Sequence, residues 1–457
     1  MPEPAPDPES GLRKQLSGGQ IAMLAVGGSI GTGLLLGSGE AVHLAGPAAV
    51  LSFLLGGAVI WTVAMAMGEL ASAHPAAGSF GVYADLYLNR WAGFVARYGY
   101  WYAMVVAIGA ELLASATYVR HWFPQVPAVV WIVVFGGLLV GVNLMSVGRF
   151  GTFEYWFAMM KVAAISVFIL GGAALIFSGR AQPQMTQPQL APAASFLPNG
   201  WLAVVMALPL AVYTFGGVEM VAISSGEARS AKEVARATRI MFAVLAFVYI
   251  GSILVLVGST PWTAFSVESS PFVTAAERVG FHAAGDALNL LVLVAALSGA
   301  NASLYVAARM LFSLARGGFA PTALGRLNAA GSPRLALLCS SGGIVVAMAA
   351  KLLVPQSAFL YALGAALFGG ILAWIIALAA HISFRRKASK ELLASLPMRA
   401  PGGAATSWLG MAGMTLAFLA TWHTSLRITM LSAPILLAAL TLGYFLMRTA
   451  RPTAPSN

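Results

Sequence analysis

The chain has 457 residues, of which 59% are hydrophobic and only 9% are charged, and its mean hydropathy is +0.83. A soluble domain carries roughly 25% charged residues, so this composition indicates a polytopic membrane protein and excludes an ordinary soluble domain. The single cysteine, Cys339, excludes an internal disulfide, and the six histidines lack the paired spacing of metal ligands. No metal and no cofactor are therefore expected.

In chain order, residues 1–17 come first, and their prolines and acids predict a disordered cytoplasmic tail. Twelve apolar runs follow, each long enough to cross a hydrocarbon layer of about 30 Å. Between the seventh and eighth runs, residues 260–284 contain Pro261, Pro271 and Gly280, which predict an outer loop with short helices. The fold class is therefore all-α, with twelve transmembrane helices predicted at 20–44, 48–73, 92–119, 126–146, 152–178, 201–225, 236–259, 285–314, 334–354, 357–382, 405–424 and 428–447.

The distribution of Lys and Arg predicts how these helices are oriented. If residues 1–17 are cytoplasmic, 20 of the 26 Lys and Arg residues fall on the inner side, five fall on the outer side, and Lys161 lies inside a span. Cytoplasmic loops of membrane proteins carry the excess of these residues. The pattern predicts that both termini are cytoplasmic, and it assigns the net charge of +11 to topology and lipid headgroups, not to nucleic acid.

The first span contains a glycine-rich stretch, Gly27–Gly39, with six glycines in thirteen residues. Each glycine inside a helix costs about 1 kcal/mol relative to alanine, so the helix is expected to break here. Backbone released from helical pairing cannot face lipid and must be buried or line a cavity. The stretch therefore predicts a broken helix at a binding site; the alternative is a small-residue face for close helix packing.

The sixth span is interrupted in the same way by Gly216 and Gly217, and an acid, Glu219, follows. Interruptions five helices apart are typical of an inverted repeat of five plus five helices, with helices 1 and 6 broken. This pattern divides the chain into repeats at about 18–180 and 200–384, which together form a transport core, followed by a basic cytoplasmic loop at 385–404, helices 11 and 12 at 405–448 and a cytoplasmic tail at 449–457.

A set of short motifs resembles the bacterial amino acid permeases of the amino acid, polyamine and organocation transporter superfamily. The resemblance runs in order from about residue 18 to 448. It implies a five-plus-five fold in a bacterial inner membrane and amino acid import driven by a proton gradient. The motifs that carry it are Ser29-Ile30-Gly31-Thr32-Gly33, Gly37-Ser38-Gly39, Gly68-Glu69-Leu70, Trp122-Phe123-Pro124, Glu154-Tyr155-Trp156-Phe157, Phe215-Gly216-Gly217-Val218-Glu219, Gly226-Glu227-Ala228 and Ser303-Leu304-Tyr305.

The resemblance places the substrate's carboxylate on the amides of Gly31, Thr32 and Gly33, where the start of a half-helix presents donors and a positive dipole end. The amino group would lie against carbonyls around Ile30, Thr214 and Phe215. Phe215 would act as an aromatic gate, with ordinary packing as the alternative. The expected substrate-binding residues are Ser29, Ile30, Gly31, Thr32, Gly33, Glu111, Thr214, Phe215, Gly216, Gly217 and Glu219.

Three charged residues inside spans are candidates for proton coupling. An ionised amine within a membrane is costly unless it is paired, and the resemblance gives Lys161 the place that a sodium ion takes in sodium-coupled members. The alternative is that Lys161 is only a buried tether to a carbonyl. Glu111 and Glu219 lie in mid-span and could hold the substrate's amine or a proton, and the alternative for each is a hydrogen bond to a neighbouring helix. Glu227, near the cytoplasmic end of its helix, is expected to pair with an inner arginine and steady the inner gate.

The predicted function is amino acid import by proton symport with alternating access, for a neutral or aromatic substrate. An amino acid exchanger on the same fold is the alternative, and a membrane-embedded enzyme is a distant one. The expected partners are the amino acid, protons and membrane lipids, and the oligomeric state stays open.

Overall fold

The computed structural model describes residues 16–75, 79–145, 150–178, 196–266, 269–278, 282–328 and 332–449. Within these ranges the chain is mostly helical, and its β-pairing is an isolated bridge between Leu16 and Ala228. The predicted all-α class is therefore confirmed for this part of the chain. The predicted tails at 1–17 and 449–457 lie almost entirely outside the described residues, as does most of the connection between the two predicted repeats.

Eighteen α-helices follow one another along the described ranges. We number them α1 Gly18–Ser29, α2 Ser38–Ala45, α3 Ala49–Ala73, α4 Ser79–Tyr87, α5 Arg90–Val119, α6 Ala128–Met145, α7 Phe150–Phe177, α8 Gly200–Thr214, α9 Met220–Ile223, α10 Ala231–Ser259, α11 Pro271–Arg278, α12 His282–Arg316, α13 Arg334–Ser340, α14 Gly343–Leu353, α15 Ala358–Lys387, α16 Lys390–Ser395, α17 Ala404–Ala420 and α18 Ile428–Thr449.

Nine helical stretches of the described residues are long and apolar enough to cross a membrane. One of them, Gly33–Ala73, has 41 residues and spans both α2 and α3. Two further apolar helices are shorter, Ala128–Leu144 and Gly200–Thr214. The numbers differ because Gly33–Ala73 combines the end of the first predicted run with the second, and the fourth and sixth runs correspond to the two shorter helices. The other eight stretches are Arg90–Val119, Glu154–Phe177, Ala231–Ser259, Gly285–Arg316, Arg334–Leu353, Ala358–Lys387, Ala404–His423 and Ile428–Met447.

Some helix boundaries differ from the sequence-based prediction. The predicted span 334–354 is divided into α13 and α14 by a turn at Ser341–Gly342. The helix predicted to begin at residue 236 begins at Ala231, because residues 231–235 contain no proline or glycine. The predicted outer loop at 260–284 contains α11 and a single 3-10 turn at Trp262–Ala264, as its prolines indicated.

Helix α5 lies at the centre of the packing and makes its most extensive contacts with α12 and α15. Small residues allow α5 and α15 to approach closely, since a Cβ added to Gly369 would contact the carbonyl oxygen of Gly99 and lie 2.9 Å from the Cβ of Ala103. On the other side, α1, α3, α8 and α10 pack against one another. The two groups of helices meet where α1 and α8 end, and this junction positions the site.

At the end predicted to be cytoplasmic, Glu69 joins three elements. Its Oε2 accepts hydrogen bonds from Arg385 Nη2 at 2.6 Å and from the amide of Ala400 at 2.6 Å, and it lies 3.2 Å from His381 Nε2. Buried charges in proteins are usually paired in this way. The contact fixes α3 against α15 and the segment that precedes α17.

Candidate functional site

The first helix is interrupted after Ser29, and π-helical backbone begins at Gly33. The last carbonyls of a helix have no intrahelical donor, so side chains must satisfy them. Lys161 Nζ donates to the carbonyl oxygens of Gly27 at 2.8 Å and Ile30 at 3.0 Å. Tyr249 Oη donates to the carbonyl oxygen of Ser29 at 2.7 Å. Side chains of α7 and α10 thus hold the end of α1.

Glu111 of α5 contacts the other side of this interruption. Its Oε1 accepts a hydrogen bond from the amide of Thr32 at 3.3 Å, and its Oε2 is buried without a hydrogen-bond partner among the described residues. Two glycines make room for the carboxylate: a Cβ on Gly31 would lie 2.5 Å from Oε1, and one on Gly299 would lie 2.9 Å from it. One carboxylate oxygen beside the helix break is therefore left without a partner among the described residues.

The second interruption lies between α8, which ends at Thr214, and α9, which begins at Met220. Gly217 has a φ of 107°, a conformation that residues with a side chain rarely adopt. A Cβ at this position would come within 2.5 Å of Ser29 Oγ and 2.8 Å of its amide nitrogen. The two interruptions are thus in direct contact, and glycine is required at this point of contact.

Glu219 follows the second interruption and is fully buried. Its Oε1 accepts a hydrogen bond from the Tyr100 hydroxyl, and its Oε2 accepts from the amide of Gly217 at 3.1 Å and from Trp374 Nε1 at 3.3 Å. All three donors are neutral groups of α5, of α15 and of the interruption itself. The carboxylate therefore joins the break in the sixth predicted span to two neighbouring helices.

A cavity of about 80 Å³ lies between the two interruptions. Eight of the predicted residues line it, namely Ser29, Gly31, Gly33, Glu111, Thr214, Gly216, Gly217 and Glu219. The rest of its wall is mostly apolar or small, and includes Tyr100, Ala103, Met104, Ala107, Tyr213, Met220, Ala302, Ser303, Val306, Ala366, Leu367, Gly370 and Trp374. The sequence-based site is therefore brought together in one place.

Other predicted residues lie around the cavity without lining it. Phe215 is fully buried, and its ring packs edge-to-face on Tyr249, with ring centroids 4.7 Å apart. On its other side, a Cβ on Gly57 would lie 3.0 Å from the ring. In this conformation the ring fills space between α3 and α10, and its role as a gate stays a prediction. The carbonyl of Ile30, expected to hold the substrate's amine, is bound to Lys161.

Glu227 lies apart from the cavity, in a 3-10 turn after α9. Its Oε1 accepts a hydrogen bond from Arg309 Nη1 of α12 at 2.6 Å, and its carbonyl oxygen accepts from the amide of Leu16 at 3.0 Å. Glu227 is expected to pair with an arginine on the predicted inner side, and Arg309 is such an arginine. The pair connects α12 to the segment just before α1.

Sequence reasoning did not select four of the residues that hold the site: Tyr100, Glu154, Tyr249 and Trp374. One of them carried a usable signal, because Glu154 precedes Lys161 by seven residues, or about two helical turns, and therefore shares its face of α7. The three aromatic residues had no recognisable sequence signal, since aromatic side chains are common in apolar helices. Only tertiary packing brings their polar atoms to the site.

An all-helical membrane protein with two interrupted helices around a cavity is typical of secondary transporters. The family model described as "Amino acid permease" matches residues 20–452. The chain therefore belongs to the amino acid permease family, it is a multi-pass membrane protein, and the resemblance seen in its motifs is confirmed.

Individual relatives match over nearly the whole chain. The aromatic amino acid transport protein AroP of Escherichia coli K12 is 35% identical over 445 residues, covering 96% of this chain and 97% of the relative. AroP of Salmonella typhimurium LT2 is 34% identical over 450 residues, covering 98% of both. The amino acid permease YtnA of Bacillus subtilis 168 is 32% identical over 438 residues, covering 95% of both. Such matches make amino acid transport the general function of the chain.

Proposed function

We propose that this permease imports an aromatic amino acid across a bacterial inner membrane by proton symport with alternating access. The AroP relatives are named as aromatic amino acid transport proteins, and this supports the aromatic class. The cavity supports it too, because Met104, Met220 and Trp374 give it apolar surface. Burying an apolar side chain there is favourable by about 25 cal/mol per Å² removed from water.

The observation that carries the proposal is that Glu111, which has one carboxylate oxygen without a partner among the described residues, lines the cavity between the two helix interruptions. In this arrangement Glu111 binds the ammonium group of the substrate. The substrate's carboxylate lies at the positive end of the helix dipole that begins at Gly33, a residue that lines the cavity. In this conformation the amide of Gly31 donates to the carbonyl oxygen of Ser29 and the amide of Thr32 donates to Glu111, so these two amides bind the carboxylate only after those hydrogen bonds open. The shared backbone groups of all amino acids are thus recognised at the interruptions, and the apolar wall selects the side chain.

Proton coupling is assigned to Lys161 and Glu111, the two ionisable groups at the first interruption. Lys161 is fully buried and holds two carbonyls at the end of α1. Deprotonation weakens these charge-assisted hydrogen bonds, so it loosens α1 against α7. Movement of α1 opens the cavity to one side of the membrane, and Glu227 with Arg309 stabilises the closed inner side.

Twelve crossings are part of the same proposal. The 41-residue stretch Gly33–Ala73 turns at Gly46, whose φ is 62°, so it supports two crossings instead of one. The nine long stretches thus supply ten crossings, and the two shorter apolar helices, Ala128–Leu144 and Gly200–Thr214, supply the eleventh and twelfth. Both termini would be cytoplasmic, as the Lys and Arg distribution predicts. The inverted repeats at 18–180 and 200–384, with helices 11 and 12 appended, follow from the positions of the two interruptions.

The proposal is tested with purified protein in proteoliposomes that carry an inwardly directed proton gradient. Uptake of labelled phenylalanine is measured in competition with unlabelled amino acids. We expect tryptophan, tyrosine and phenylalanine to compete and lysine and glutamate not to. A protonophore should abolish accumulation. If accumulation never occurs but counterflow does, the protein is an exchanger, and if only non-aromatic amino acids compete, the aromatic assignment is wrong.

A further inference from the structure

We propose that Glu154 is a positioning residue for transport: its carboxylate is the permanent counter-charge of Lys161. Because Glu154 neutralises Lys161, the carboxylate of Glu111 can bind the transported cation. This cation is the substrate's ammonium group or the proton. The inference rests on the proposed function and deepens it, because it separates the roles of two buried acids beside a single buried amine.

Glu154 and Lys161 face the same point on α1. They are seven residues apart on α7, about two turns at 3.6 residues per turn, so their side chains leave the same face. Lys161 Nζ donates to the carbonyl oxygen of Gly27 at 2.8 Å. A Cβ added to Gly27 would lie 2.9 Å from Glu154 Oε1. The positive and the negative group of α7 therefore meet α1 at one glycine, which has no side chain to separate them.

Charge balance requires a partner for Lys161. Its side chain is completely buried, and an uncompensated ammonium within a membrane is costly. Glu154 and Glu111 both lie close enough to Lys161 to interact with it electrostatically. Two carboxylates thus accompany one amine, so when one of them neutralises Lys161 the other keeps a negative charge for a further cation.

The surroundings of the two acids determine which one is free. Glu154 is 3% exposed, does not line the cavity, and accepts a hydrogen bond from Ser298 Oγ at 2.7 Å. Glu111 lines the cavity and has one oxygen without a partner among the described residues. The next residue of α12, Gly299, contacts Glu111. Two consecutive residues of α12, Ser298 and Gly299, therefore lie against the two acids: Glu154, which is outside the cavity, and Glu111, which lines it.

A stability cycle tests the pairing directly. The thermal unfolding midpoint is measured in detergent for Lys161→Met, Glu154→Gln, Glu111→Gln and the two double variants that include Lys161→Met. We expect Lys161→Met with Glu154→Gln to unfold at a higher temperature than either of its single variants, because the double change removes both members of a buried pair. A larger recovery when Lys161→Met is combined with Glu111→Gln would overturn the assignment.

Transport provides a second readout that also applies if a double variant fails to fold. Glutamine at position 154 can still accept the hydrogen bond from Ser298, so a merely structural role predicts normal transport for Glu154→Gln. We expect this variant to lose gradient-driven accumulation by about tenfold or more and to shift the pH profile of uptake, since Lys161 loses its counter-charge. Glu154→Asp, which keeps the charge, should recover part of the activity.

The outcomes separate this inference from the proposed function. Accumulation by Glu154→Gln at the wild-type level, with an unchanged pH profile, would overturn the role of Glu154 and leave the proposed symport intact. If wild-type protein shows no proton-driven accumulation, the proposed symport fails, and the stability cycle still decides whether Glu154 is the partner of Lys161.

Discussion

The two helix interruptions border the same cavity, yet different kinds of groups hold them. At the first interruption, Lys161 binds two carbonyls and Glu111 accepts from the amide of Thr32, so two ionisable side chains fix the backbone. At the second, the ionisable group is Glu219 itself, and the donors that surround it are the neutral groups of Tyr100, Trp374 and Gly217.

This difference suggests how the two breaks respond to a proton or a substrate. Hydrogen bonds to ionised groups are about twice as strong as neutral ones, and a change of charge removes that advantage. The contacts of the first interruption change when Lys161 or Glu111 changes its charge. The three donors of the second keep their form, so we expect the second interruption to serve as the fixed wall of the cavity.

The largest expected effect comes from filling the space at the first interruption. A Cβ on Gly31 would lie 2.5 Å from Glu111 Oε1, so Gly31→Leu must displace the carboxylate or the backbone. Because displacements of about 1 Å can cost roughly 100-fold in activity, initial uptake of labelled substrate should fall by about that factor or more. Gly137→Leu on α6 is the matched control, since a Cβ there meets nothing within 4 Å. Normal uptake by Gly31→Leu would refute the site.

A comparison of the two acids tests the difference between the interruptions directly. Glu219→Gln can keep its three hydrogen bonds, because the Tyr100 hydroxyl can accept from the new amide while the amide oxygen accepts from Trp374 and Gly217. We expect it to retain uptake within about tenfold of wild type, whereas Glu111→Gln, which loses the charge that faces the cavity, should fall further.

Unfolding measurements complete this comparison. Glu219→Ala leaves three buried donors unpaired and should destabilise the protein by about 1–3 kcal/mol for each of them. If Glu219→Gln abolished uptake while Glu111→Gln transported normally, the two acids would have to exchange their proposed roles.

A smaller effect is expected at the inner side. Glu227 and Arg309 are 20% and 25% exposed, so their ion pair contributes only about 1 kcal/mol or less. Glu227→Gln should leave the unfolding midpoint nearly unchanged and speed substrate counterflow, because the closed inner side loses a contact. Glu233→Gln, which alters another acid near α1, is the comparison variant. Slower counterflow in Glu227→Gln would contradict the gate assignment.

The smallest effect should come from the neutral contact at the first interruption. Tyr249→Phe removes the hydrogen bond to the carbonyl oxygen of Ser29 and keeps the ring against Phe215. The expected loss of stability is about 1 kcal/mol, with uptake changed by only a few-fold. Lys161→Met, which removes a charged contact at the same end of α1, should have a much larger effect on accumulation. Equal effects would mean that charge does not distinguish the two contacts.

Much of the site could be predicted because its signals are local. Glycines at 31 and 217 mark backbone that a side chain would obstruct, and acids at 111 and 219 are conspicuous within apolar runs. Eight of the predicted residues line a common cavity as a result. The orientation of Phe215 could not be predicted in the same way, because it depends on the space that Gly57 leaves on another helix.

The sequence by itself determined that the chain is a helical membrane protein, where its first and sixth spans break, and which family it resembles. These properties depend on hydropathy, helix propensity and short motifs, all of which act over a few residues. Only the tertiary structure decided that Tyr100 and Trp374 bind Glu219 and that Ser298 binds Glu154. Residues more than a hundred positions apart form these contacts, and helix packing, not local pattern, selects them.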